Sequence, residues 1–122
     1  MWLTLGVAVA SGLGSVVRYG LDQSVTRRLG RGFPYGTLLV NVTGSFLLGL
    51  TLGWSRHHGL ASGPALLLGS GFAGGYTTLS TWAWETLVLA RDKHVVGALL
   101  NLVSSLVLGL CATAAGLGLA LL

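Results

Sequence analysis

The side chains able to do chemistry in this 122-residue sequence are neutral hydrogen-bonding groups set among apolar neighbours. Thr37, Asn41, Thr43 and Ser45 fall in one apolar stretch, Thr77, Thr78, Ser80 and Thr81 in a second, and Asn101, Ser104 and Ser105 in a third. Thr37 and Asn41 are four residues apart and share one helix face; Asn101 and Ser105 repeat the pattern. Amides and hydroxyls donate protons without carrying charge. Two such stripes can line a narrow path for a small anion or polar solute. The plainer reading is that they join helices to one another, as Ser, Thr and Asn do in membranes. The two amides are the costliest to bury and lean towards a path. Arg18 adds a positive group at the end of the first apolar stretch, where an anion would enter. No acid lies at the centre of any stretch: Asp22 and Asp92 fall between them and Glu85 comes late in the third. A pump for organic cations or a proton-coupled exporter needs an intramembrane carboxylate. No nucleophile–base pair and no phosphate loop occur, so the sequence reads as no enzyme. His57 and His58 are adjacent, lack the i, i+4 spacing of metal ligands and read as a solvated interfacial pair. Cys111 is the only cysteine, which excludes an intrachain disulfide and leaves a small packing residue.

The elements that position these groups follow from composition. Only 8% of residues are charged, against about 25% in an average soluble domain. A soluble enzyme domain, a disordered tail and a nucleic-acid module are excluded. Residues 1–17, 32–55, 59–84 and 95–122 contain no Asp, Glu, Lys or Arg. A membrane-spanning helix needs about 20 apolar residues, so the pattern predicts an all-α domain of four spans near 2–20, 34–54, 64–90 and 95–120. Ala8-Val9-Ala10 has the look of a signal-peptidase site, but no Lys or Arg precedes it, and the first stretch reads as a retained span. Trp2, Tyr19 and Trp54 near span ends fit an aromatic belt, while Trp82 and Trp84 lie deeper. Arg27, Arg28 and Arg31 sit between spans one and two, Arg91 and Lys93 between three and four, and Arg56 alone between two and three. The positive-inside rule puts the five-cation side in the cytoplasm and both termini outside.

The third stretch departs from a simple helix. Gly69, Gly71, Gly74 and Gly75 are followed by Thr77, Thr78, Ser80 and Thr81, poor helix formers in succession. A mid-membrane break is expected, freeing carbonyls for a cation and N–H groups for an anion. The competing reading is a continuous helix whose glycines allow tight packing, with Gly71 and Gly75, like Gly49 and Gly53, at GxxxG spacing.

Three segments resemble the Fluc/CrcB family of fluoride channels. Gly12-Leu13-Gly14-Ser15-Val16-Val17-Arg18-Tyr19 is similar to its glycine-rich first span ending in Arg and an aromatic. The run Gly36-Thr37-Leu38-Leu39-Val40-Asn41-Val42-Thr43-Gly44-Ser45-Phe46 is similar to its GTLxxNxxGxF pattern. Gly71-Phe72-Ala73-Gly74-Gly75-Tyr76-Thr77-Thr78-Leu79-Ser80-Thr81-Trp82, trailed by Glu85, resembles its GFxGGxTTFSTF segment. The resemblance covers essentially the whole chain and implies a membrane channel that lets fluoride leave the cytoplasm passively, limiting its toxicity. It implies an antiparallel, dual-topology homodimer in the cell membrane, with two pores and a central, non-transported sodium ion. Carried over by motif position, the sodium ligands are the backbone carbonyls of Gly75 and Thr78 from both subunits. The pore is lined by Asn41, Ser80 and Thr81, with Thr37, Asn101 and Ser105 beside them; Arg18 sits in a vestibule and Glu85 towards a pore mouth. Where the family has phenylalanine twice in TTFSTF, this chain has Leu79 and Trp82. A phenyl edge is the positive part of the ring quadrupole; Leu79 has none, and Trp82 brings a larger ring and an indole N–H. The five-to-one loop charge is lopsided for a dual-topology chain and allows a sister subunit of opposite bias as partner. Two other functions fit four short spans: a multidrug-type proton-coupled exporter, which lacks its expected acid in span one here, and a non-transporting scaffold subunit.

Overall fold

A computed structural model describes residues 1–122 and is all-helical. Helix α1 runs Trp2–Leu29, α2 Tyr35–His57 and α6 Val95–Leu119; the third apolar stretch is divided between them. It comprises α3 (Ser62–Leu66), a π-helical stretch (Leu67–Ala73), a short α4 (Gly74–Tyr76), an open segment at Thr77–Leu79 and α5 (Ser80–Arg91). α1, α2 and α6 are long and apolar enough to cross a membrane. The third stretch is a broken helix, as its glycine and threonine run predicts.

Helix α1 extends beyond the span expected from hydropathy. Asp22, Arg27 and Arg28, read from the sequence as loop residues, lie on its last turns. Arginine is a good helix former, and Arg27 and Arg28 complement the negative end of the helix dipole. The helix stops at Gly30, where φ is +80°, a conformation natural to glycine. Lys93 adopts φ +63° in the tight turn between α5 and α6.

The interior is inverted relative to a soluble bundle. Only 18 of 122 residues are buried, and they include Thr37, Thr51, Thr78 and Asn101, whereas leucines and valines line the outside. The outward apolar face is what a lipid solvent, or another apolar protein surface, would cover.

Glycines let the backbones meet. α2 packs along α6, and α1 packs along the π-helical stretch and α4. A methyl on Gly14 would strike the Phe72 carbonyl, and one on Gly75 the Ser11 carbonyl. Across the other contact, a methyl on Gly49 would strike the Thr113 carbonyl and one on Gly116 the Phe46 carbonyl. Both GxxxG pairs therefore face a neighbouring helix inside the chain. Packing and a break coexist in the third stretch: its glycines serve the contact with α1, and the helix opens only after Tyr76. His58, read as solvated, reaches back to the last turn of α6, with Nε2 2.9 Å from the Ala120 carbonyl.

Candidate functional site

The break is held open by side chains from two other helices. Thr77 is extended (φ −75°, ψ 157°), which takes the chain out of its helical ladder. Asn41, on α2, closes a two-point clamp on Thr78: Nδ2 donates to the Thr78 carbonyl at 2.9 Å, and Oδ1 accepts the Thr78 N–H at 2.8 Å. From α1, Arg18 donates to the Thr77 carbonyl at 3.2 Å and the Ser15 hydroxyl to the Gly75 carbonyl at 3.1 Å. The Thr78 hydroxyl accepts the Thr81 N–H at 3.3 Å, which caps the start of α5. Each backbone group freed at mid-span and named here thus has a partner, the condition for irregular backbone at membrane depth.

Polar side chains continue on both sides of this clamp. A surface groove of about 250 Å³ brings together Asn41, Thr78, Leu79, Trp82 and Ser105. A smaller cavity of about 190 Å³ joins Arg18, Thr37, Thr78 and Thr81. An outer cavity of about 550 Å³ is lined by Thr81 and Glu85, with Asp22 and Arg31 at its wall. Thr78 is common to the first two and Thr81 to the second and third. Each space therefore shares a lining residue with the next. Thr37 donates its hydroxyl to Glu85 Oε1 at 2.9 Å, which ties the start of α2 to α5.

Most of the residues singled out from the sequence line these spaces; Thr43, Ser80, Asn101 and Ser104 do not. Asn101 is fully buried and lines none of the three spaces. Its Nδ2 donates to the Thr86 hydroxyl at 2.8 Å, whose own proton goes to the Trp82 carbonyl at 2.8 Å. It is a brace between α6 and α5 behind the groove. Ser80 is exposed, its hydroxyl 3.5 Å from that of Thr78. Of the two adjacent serines on α6, Ser105 reaches the groove and Ser104 does not. The indole N–H of Trp82, read from the sequence as a free donor, is taken by the Asn101 carbonyl at 3.2 Å. Thr86 was not singled out in the sequence; only its place one turn after Trp82 hints at its role.

No cluster of three His, Cys, Asp or Glu side chains exists, so a metal at the break would be held by neutral oxygens. The carbonyls of Gly75 and Thr78 each accept one side-chain donor, from Ser15 and Asn41. A carbonyl oxygen has two lone pairs, and at a break one remains for a hard cation such as sodium. One chain offers two such oxygens, fewer than a cation site needs, so the fit requires a second copy.

The chain matches the family described as "CrcB-like protein, Camphor Resistance (CrcB)" over residues 5–117. It is 52% identical over 112 residues to "Fluoride-specific ion channel FluC 2" of Mycobacterium tuberculosis, covering 92% of this chain and 86% of that protein. It is 48% identical over 104 residues to "Fluoride-specific ion channel FluC" of Thermus thermophilus, covering 85% and 83%. "Fluoride-specific ion channel FluC 1" of Leifsonia xyli subsp. xyli is 46% identical over 117 residues, covering 96% and 84%.

Proposed function

The chain belongs to the CrcB family, and on that footing we propose that it is a fluoride-selective channel giving passive fluoride export across the cell membrane. It is a multi-pass membrane protein without enzymatic chemistry. The observation that carries the reading beyond kinship is the series of neutral donors on either side of the broken helix. Fluoride is small and strongly hydrated, so each water removed must be replaced by a donor. The donors must also bind weakly enough to release the ion. Hydroxyls of Thr81 and Ser105 meet both demands, because they donate without adding a fixed charge and their protons are not taken up by the Thr37–Glu85 and Thr78–Thr81 bonds. Arg18 at the inner cavity attracts the anion, and its bond to the Thr77 carbonyl keeps the guanidinium beside the path. Glu85 and Thr81 stand in the outer cavity, at the proposed mouth.

The working unit in this reading is an antiparallel homodimer with two pores. Two features support a second copy: the apolar exterior and the incomplete set of carbonyls at the break. Gly75 and Thr78 of both subunits would hold a structural sodium ion, which supplies positive charge to neutralise four converging carbonyl dipoles. The role of this chain's own residues is to aim those carbonyls, through Ser15 and Asn41.

The proposal is tested in cells that lack any fluoride exporter. Expression of the chain should lower cytoplasmic fluoride and restore growth on fluoride-containing medium, and the Asn41→Ala variant should not. Equal protection by both variants would show that the clamp at the break has no part in conduction.

A further inference from the structure

We infer that Trp82 positions a donor for the permeating anion, acting through the Asn101 carbonyl to keep the Ser105 hydroxyl free. A serine inside a helix ordinarily donates its O–H to the carbonyl four residues earlier. In this chain Thr43, Thr51 and Thr113 do so, to Leu39, Leu47 and Gly109. For Ser105 that carbonyl belongs to Asn101. It already takes the helical N–H of Ser105 and, across the helix contact, the indole N–H of Trp82 at 3.2 Å. Both lone pairs are engaged. The Ser105 hydroxyl is buried, has no partner within the chain, and belongs to the groove that Asn41, Thr78 and Trp82 share. A buried hydroxyl needs a partner; the Asn101 side-chain oxygen one turn away is also unpartnered, and we assign the Ser105 proton to what enters the groove that this residue lines. Ser104 lacks a partner too, although the Leu100 carbonyl four residues before it carries no indole; what sets Ser105 apart is that it lines the groove while its fallback carbonyl is filled.

The arrangement is specific to tryptophan at this position. Phenylalanine, which the related motif carries there, has no N–H and would leave the Asn101 carbonyl open to Ser105. With Leu79 offering no ring edge, a freed hydroxyl is the compensating donor. The indole itself gives no proton to the ion. Trp82 is a positioning residue, braced from behind by Thr86 and the Asn101 amide.

The inference rests on the fluoride-channel reading, and the test separates the two. Fluoride efflux is measured from liposomes containing the purified protein, with Trp82 replaced by 3-benzothienylalanine, a ring of the same shape without the N–H. Efflux should fall about tenfold, the worth of one charge-assisted hydrogen bond. Ser105→Ala should give a similar loss, and the two changes together no more than either alone, because they act on one donor. Full efflux through the benzothienyl protein, or losses that multiply in the double variant, would overturn the inference while leaving the channel reading intact. Absence of fluoride efflux from the unmodified protein would overturn both.

Discussion

Asn41 holds Thr78 by both ends of its amide, and this bond pair makes the broken helix a defined structure. Removing it leaves the Thr78 N–H and carbonyl without those partners at membrane depth. Asn41→Ala should therefore lower stability by about 2–3 kcal/mol and abolish most fluoride flux. Thermal unfolding in detergent and efflux from liposomes measure the two effects; a stable variant with normal flux would contradict the clamp. Leu79 stands on the opposite footing. Its side chain is 74% exposed, so a larger ring meets no obstacle within the chain. Leu79→Phe restores a ring edge, the positive part of the aromatic quadrupole, beside the groove. Fluoride flux should rise, and a rate unchanged or lower would show that no edge is needed there.

Among the helices, contacts between backbones dominate over interlocking of large side chains. Gly14 and Gly75 meet carbonyls across the α1 contact, and Gly49 meets one across the α2–α6 contact. Gly14→Ala and Gly49→Ala should each destabilise the chain by about 1–3 kcal/mol, since backbone cannot move aside as a side chain can. Gly20, with open space where its methyl would go, should accept Ala and gain about 0.5–1 kcal/mol of helix stability. Unfolding temperatures of the three variants check the contrast; equal losses at all three would remove the close-approach argument. The break was legible in the sequence because Gly74, Gly75, Thr77 and Thr78 are poor helix formers whatever surrounds them. The groove residues Asn41 and Ser105 were legible because polar groups are costly in apolar runs. Partners were not. Whether Asn41 lines a path or braces the break depends on which residue of the third stretch lies opposite it. That pairing is set by glycine contacts that no single segment encodes. Asn101 read as a groove residue by its four-residue spacing from Ser105, yet its side chain turns to Thr86. The length of α1 was hidden for a different reason: hydropathy marks where lipid ends, and the helix continues past that point through Asp22 and Arg28.

The whole chain turns its apolar side chains outward and its small and polar ones inward. In the proposed dimer, two copies meet at the break. An antiparallel pair requires one sequence to insert both ways, against a loop charge of five cations to one. A thiol placed at Leu122 in a Cys111→Ser background should be labelled half from each side of the membrane. Labelling from one side only would assign this chain a single orientation and require a sister subunit. The proposed function is selective conduction of fluoride along the donors flanking the break. Its most direct test is ion efflux from liposomes holding the purified protein, read with a fluoride electrode beside a chloride control. Rapid fluoride release with no chloride release is the predicted result. Absence of fluoride release from correctly folded dimers, or equal release of chloride, would contradict it.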